Sequence, residues 1–226
     1  MDPIAKNIKV IKDKIQVAAV KSRRDAFGIT VVAVTKTVGN SEAQRVYKMG
    51  IKDLGENRVQ ELRIKIDSLP QAKWHMIGQL QTNKVKDIIG KVSLIHSLDR
   101  WNLAEELNKR ARMAGIEVPV LLQVNISGEK QKAGIKTGEV EDFLRSIGQL
   151  ETVKICGLMT IAPLLDNPQE ARPVFKRLYR LQQESIKKKY KNVDLKYLSM
   201  GMSQDFEIAV EEGANIVRIG SAIFDE

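Results

Sequence analysis

"TVVAVTKTVGNSEAQRVYKMG", residues 30–50, contains in one piece the unit from which the fold is read. The β-branched run "TVVAVT" reads as a buried strand. A short connection follows, and "SEAQRVYKMG" has helical spacing and closes on Gly50, where a helix C-terminal cap belongs. The succession recurs. Strand-like runs follow at "IKDLGEN", "WHMIG", "VSLIHS", "VPVLLQVNI", "VKICGLM", "LKYLSM" and "NIVRIG", eight with the first. Helical stretches such as "RWNLAEELNKRARMAG", ended by Gly115, and "ARPVFKRLYRLQQESIKKKY" lie between them. Strand, helix, strand with short connections means parallel pairing, and eight such units predict a closed (β/α)₈ TIM barrel, a single domain over 1–226. An open doubly wound sheet is the alternative. No GxGxxG follows an early strand, which counts against its dinucleotide-binding form.

Ahead of the first strand, Ile4, Ile8, Ile11, Ile15 and Ala18 recur at spacings of three and four, one face of an amphipathic helix. The last strand-like run is followed by too few residues for a full helix. The extra N-terminal helix, within 1–26, is therefore expected to pack on the barrel and cover that gap.

Composition narrows the function classes. No run reaches the roughly 18 apolar residues of a membrane helix, and "MDPIAKNIKV" has charges where a signal peptide has its apolar core. A soluble, cytoplasmic chain with no membrane partner is expected. Cys156, the single cysteine, excludes an intramolecular disulfide and fits a reducing compartment; in "VKICGLM" it reads as a small core residue. The net charge of +9 raises the question of nucleic acid. The cations are spread over the N-terminal helix, the middle and "KKKYK" at 187–191, mostly interleaved with acids and without aromatic partners. They read as solvated helix faces, and no nucleic-acid partner is expected.

In a (β/α)₈ barrel, functional side chains sit where strands end. Lys36 ends the first predicted strand, and alternation places Val32, Val34 and Lys36 on one face. If the valines face inward, so does the lysine. Burial at a barrel mouth would lower an ammonium from its usual pKa of about 10.4 toward the neutral amine, a nucleophile for an aldehyde. The seventh strand runs into "SMGMSQDFEIAV", with Ser199, Gly201 and Ser203 in the turn and a helix expected after Ser203. The eighth runs into "VRIGSAIF", with Gly220 and Ser221 in the corresponding place. Loops after the last two strands are the usual phosphate site of this barrel. Arg218 shares the parity of Ile216 and Gly220 on the strand that closes against the first. Two cations at one mouth, with no carboxylate expected between them, need an anionic or electron-rich ligand. Lysine for an aldehyde, a phosphate cradle and an arginine for a ring nitrogen together describe a pyridoxal 5′-phosphate site.

Motifs along nearly the whole chain carry a family resemblance: "AVTK" at 33–36, "GENRVQE" at 55–61, "WHMIGQLQTNK" at 74–84, "HSLDR" at 96–100, "LLQVNIS" with "KAGI" at 132–135, "GLMTI" at 157–161, "LSMGMSQDFEIAV" at 198–210 and "VRIGSAIF" at 217–224. In this order they resemble the pyridoxal phosphate homeostasis proteins, once called proline synthetase co-transcribed homologues. The resemblance implies a barrel of the alanine racemase N-terminal-domain type holding the cofactor as a Schiff base on Lys36. It implies Asn57 and Met159 near the ring, Arg218 at the pyridine nitrogen, and Ser199, Gly201, Ser203, Gly220 and Ser221 around the phosphate. It implies a role in cofactor homeostasis and amino and keto acid balance, with apo pyridoxal phosphate enzymes as recipients and the chain a monomer. An arginine at the pyridine nitrogen disfavours its protonation and weakens the ring as an electron sink. His75 and Asn83 match motif positions to which no role is assigned. The chain departs from the pattern at Gln79, where the family has proline, and at the ending "FDE", which reads as a trimmed tail.

Two other classes are weighed. An amino-acid racemase needs a second acid/base opposite the lysine, and Tyr47, Tyr179 and Tyr197 fall on helices or within a strand. No catalytic residue is therefore expected. A metal-dependent hydrolase needs several His and carboxylate ligands, and only His75 and His96 exist, the latter reading as a satisfied core or strand-end histidine. No metal site is expected. The loop "APLLDNPQEARP", with its three prolines, reads as an ordinary connection or a lid on the functional face.

Overall fold

In the computed structural model, which describes residues 2–129 and 131–225, alternation sorts the first strand, β1 (Thr30–Val34), between two cores. Val32 packs with Leu94, Leu121, Met159 and Ile216 in a small apolar cluster inside the barrel, whereas Ala33 joins the large core between strands and helices. The valine parity expected from the sequence is the observed one. The remaining strands are β2 (Asp53–Glu56), β3 (Lys73–Met76), β4 (Leu94–Leu98), β5 (Val118–Asn125), β6 (Ile135–Lys136), β7 (Val153–Met159), β8 (Val193–Ser199) and β9 (Ile216–Ile219). All pairings are parallel, and β9 closes on β1 with Arg218 opposite Val32. The closed barrel uses eight strands. The two-residue β6, unforeseen in the sequence, only extends the end of β5.

The helices are α1 (Pro3–Lys21), α2 (Asn40–Lys48), α3 (Val59–Ser68), α4 (Val85–Ile88), α5 (Trp101–Ala114), α6 (Val140–Ser146), α7 (Arg172–Ile186), α8 (Phe206–Glu211) and α9 (Ser221–Phe224). α1 begins where Asp2 accepts the Ile4 N–H at 3.0 Å and proline occupies the first turn. Its buried face is Ile4, Ile8, Ile11, Ile15, Ala18 and Ala19, and it lies against α8 and α9. Burying each isoleucine contributes about 1.5–3 kcal/mol. The ion pairs at its border, Lys14 to Glu207 (2.7 Å) and Lys21 to Glu211 (2.6 Å), involve exposed lysines and add little. Gly115 ends α5 at φ 66°, a left-handed cap that a side chain would strain. No helix of the described residues is long and apolar enough to cross a membrane.

Two local expectations are corrected. β1 stops at Val34, so Lys36 lies in the turn beyond the strand and is exposed; it is not the partly buried strand-end ammonium inferred above. α8 begins at Phe206 and not directly after Ser203. The intervening turn is closed by Asp205, whose Oδ1 accepts the Met202 N–H at 2.6 Å, while the Ser203 hydroxyl is engaged elsewhere.

Candidate functional site

A cavity of about 470 Å³ opens at the C-terminal ends of the strands. Lys36, Asn57, Ser203, Arg218, Gly220 and Ser221 line it, together with Val34, which carries the inward face of β1 up to the lysine. One wall is apolar and comes from the loop at 162–173, through Pro163, Leu164 and Leu165. The proline-rich loop thus borders the site.

The two cations reach this space from adjacent strands in different ways. Lys36 stands on a clamped backbone. The preceding Thr35 is buried, its hydroxyl donates to Glu56 Oε1 at 2.6 Å, and its carbonyl accepts from Lys65 Nζ at 2.6 Å. Glu56 ends β2 and Lys65 lies on α3, both buried, and they pair with each other. Such a pair is costly to desolvate and costlier to break, so it ties α3 and β2 to the residue before Lys36. Arg218 is itself buried. It donates through Nη1 to Ser199 Oγ at 2.6 Å and through Nη2 to the Thr160 carbonyl at 2.9 Å, and its own N–H bonds the Gly201 carbonyl at 3.0 Å. Burial lowers its guanidinium to about 10, opposed by the charge of Asp205, so it remains a cation at neutral pH.

Asp205, two residues beyond Ser203, adds a carboxylate whose charge acts on Arg218. It lines the cavity and is buried; burial pushes its carboxyl up, against the bond from the Met202 N–H and the Arg218 charge.

The rim beside Lys36, on the β9 side, is a turn held by a hydroxyl. Ser203 Oγ accepts the N–H groups of Gly220 (3.3 Å) and Ala222 (3.2 Å) at the start of α9. A serine on one loop thereby joins the two turns named from the sequence. Glycines allow the close approaches. A Cβ on Gly201, at φ 92°, would lie 2.5 Å from Ala209 Cβ, and one on Gly78 would lie 2.2 Å from the Asn57 carbonyl oxygen. Gly78 therefore lets the end of β3 press against the segment that carries Asn57.

Three of the residues named from the sequence lie beneath the cavity and not on its surface. Met159 belongs to the apolar cluster inside the barrel, Gly201 is buried under α8, and Ser199 is buried behind Arg218. Ser199 also contacts His96, which meets His75, which meets Asp53, and burial together with the charges of His75 and Arg218 holds His96 well below the ordinary imidazole range. Asn83 is exposed, and Gln79, also exposed, bonds Asp99 at 3.4 Å. The trimmed-tail reading rests on Glu226, which lies outside the described residues. Tyr197 packs against the inner apolar cluster, and Tyr47 and Tyr179 are on the outer helices α2 and α7. Cys156 borders the same inner cluster, half-buried, and burial raises its thiol.

Sequence reasoning missed Glu56, Lys65, Asp53 and Gly78. A signal existed for Glu56, a charged residue at the end of a strand-like run inside the "GENRVQE" motif. None existed for its partner.

Residues 1–225 match the family described as alanine racemase, N-terminal domain. A pyridoxal phosphate homeostasis protein of Aquifex aeolicus is 45% identical over 218 residues, 96% of this chain and 95% of the relative. The protein of that name from Escherichia coli is 34% identical over 229 residues, 99% and 97% of the two chains. The structure of PipY from Synechococcus elongatus with pyridoxal phosphate bound superposes with a TM-score of 0.81 at 32% identity, over 98% of this chain and 99% of PipY. An alanine racemase from Clostridium difficile shares the fold, with a TM-score of 0.78 at 15% identity, and this chain covers 57% of it. Full-length identity to named homeostasis proteins, on a barrel with a lysine and an arginine at one mouth, leads to one assignment: the chain belongs to the pyridoxal phosphate homeostasis protein family, built on the barrel of the alanine racemase N-terminal domain.

Proposed function

We propose that this chain binds pyridoxal 5′-phosphate in the cavity, holds it covalently as a Schiff base on Lys36, and serves intracellular cofactor homeostasis and amino and keto acid balance without turnover of its own. The observation that carries the reading is the convergence of Lys36 and Arg218 from adjacent strands on one cavity whose rim is built by Ser203, Gly220 and Ser221. The donor set fits the group: an amine for an aldehyde, N–H and hydroxyl groups for a phosphate, a fixed cation for a ring nitrogen. When bound, the cofactor supplies a reactive aldehyde and a conjugated ring that can stabilise negative charge.

The remaining roles are those of the chain's own residues. Lys36, exposed and on a clamped turn, is reachable by an incoming aldehyde and by whatever later removes it. Arg218 is a donor only, and with its guanidinium at about 10 it keeps its protons at neutral pH. A ring nitrogen facing it accepts a hydrogen bond and is not given a proton. Ser203, Gly220 and Ser221 take the phosphate, and Asn57 borders the ring. Ser199, Gly201 and Met159 support these contacts from below. Apo pyridoxal phosphate enzymes are the recipients, and the chain works as a monomer. That relatives matched over nearly their whole length are named homeostasis proteins supports a holding role over racemisation.

The test is reduction with borohydride after incubation with pyridoxal phosphate, followed by peptide mass spectrometry. The expected result is one adduct on Lys36, lost in Lys36→Ala. Adduct formation elsewhere with Lys36 unmodified overturns the reading, and loss of optical activity by alanine in excess of protein overturns the carrier role.

A further inference from the structure

Three side chains inside the barrel connect Arg218, at the cavity, to Asp53, the first residue of β2 at the opposite mouth. Arg218 Nη1 donates to Ser199 Oγ at 2.6 Å. Ser199 Oγ and His96 Nδ1 are 3.0 Å apart, His96 Nε2 and His75 Nδ1 2.8 Å, and His75 Nε2 and Asp53 Oδ1 3.1 Å. Ser199, His96 and His75 are buried, so bulk water cannot replace a missing partner.

The ends set the direction of the chain. A guanidinium only donates and a carboxylate only accepts. With Ser199 Oγ accepting from Arg218, its single proton points at His96 Nδ1, which must offer a lone pair. His96 then carries its proton on Nε2 and donates to His75 Nδ1. His75 in turn carries its proton on Nε2 and donates to Asp53. Every atom has one role, and both imidazoles are neutral. Burial, the largest cause, and the charge of Arg218 keep His96 neutral, as the chain requires.

We propose that Asp53, His75 and His96 are positioning residues for the buried cation: the oriented hydrogen-bond chain presents the Ser199 lone pair to Arg218 and so fixes the direction in which the remaining guanidinium N–H groups face the cavity. If the chain reverses, His96 Nδ1–H points at Ser199, the hydroxyl accepts from both sides, and its own proton loses its acceptor. Asp53, an acceptor at the partly exposed end, is what favours one direction over the other. The ligand that meets those N–H groups rests on the function proposed above; the direction of the chain does not.

The test begins on cofactor-free protein labelled with ¹⁵N-histidine, where long-range ¹H–¹⁵N correlations identify the tautomer of each ring. Both rings protonated on Nε2 is the expected result, and a proton on Nδ1 of either ring, alone or in mixture, overturns the proposal. Asp53→Asn then presents either an oxygen or an amide to His75. It is expected to mix the tautomers of both rings and to weaken pyridoxal phosphate binding roughly fivefold, the scale of one hydrogen bond. Retention of the wild-type affinity in a variant whose tautomers have mixed overturns the positioning role. Should wild-type protein bind no pyridoxal phosphate, the site reading fails, while the tautomers still decide the chain.

Discussion

Lys36 and Arg218 come to one cavity from neighbouring strands with the same charge and opposite solvation. Lys36 is exposed in a turn, and what is buried is the ion pair beneath it, Lys65 with Glu56, holding Thr35. Arg218 is buried, and what it reaches is a file of buried polar groups ending at Asp53. An exposed amine on a fixed backbone keeps its freedom to react and release. A buried guanidinium with two partners on its side chain keeps its place. The difference suits a site that must exchange one bond while holding one orientation.

The comparison breaks most readily at the ion pair. Lys65→Ala leaves Glu56 buried and unpaired, and a loss of about 3–5 kcal/mol in urea unfolding is expected, most of it recovered in Glu56→Leu/Lys65→Met. A loss under about 1 kcal/mol would mean that the pair does not hold the end of β1. Next is Arg218→Met, which leaves the Thr160 carbonyl without its donor while relieving a buried charge. A net cost of about 1–3 kcal/mol is expected by the same measurement.

The third effect is a pH dependence. The folded value of His96 lies well below the ordinary 6.5, so at acid pH the unfolded chain takes up a proton that the folded chain refuses. Its contribution to stability is whole above the unfolded value of about 6.5 and is lost as pH falls from there toward the folded value, by up to about 1.4 kcal/mol per pH unit. Unfolding midpoints from pH 7 to 5 should therefore fall more steeply in the wild type than in His96→Gln, and equal slopes would exclude His96 as the source. The smallest effect belongs to the other cation. Lys36→Ala, at an exposed turn, should change stability by no more than about 0.5 kcal/mol while abolishing the borohydride adduct. A large stability change would show that the lysine does more than face the cavity.

Much of the fold was legible because helical and strand periods are local. The spacing of Ile4, Ile8, Ile11 and Ile15 announced α1, the alternation of Val32 and Val34 announced the inner face of β1, and Gly115 marked a real left-handed cap. Lys36, Ser203, Arg218, Gly220 and Ser221 were found because strand ends and the turns beyond them are where a parallel barrel collects its functional groups, and Asn57 through the family resemblance. The solvation of Lys36 was misjudged for a local reason, since β1 stops before it and the turn swings it into the open. That the charge of Asp205 acts on Arg218 is set by the turn that delays α8.

What the sequence determined by itself was therefore the barrel, its inward parity, the lysine and arginine at neighbouring strand ends, and the family. What only the tertiary structure decided was which buried polar groups meet. Glu56 and Lys65 join a strand to a helix, and Asp53, His75, His96, Ser199 and Arg218 come from five different strands. Parity says that a side chain points inward. Only closure of the barrel, with its stagger between strands, sets the distances at which an inward group finds a hydrogen-bond partner.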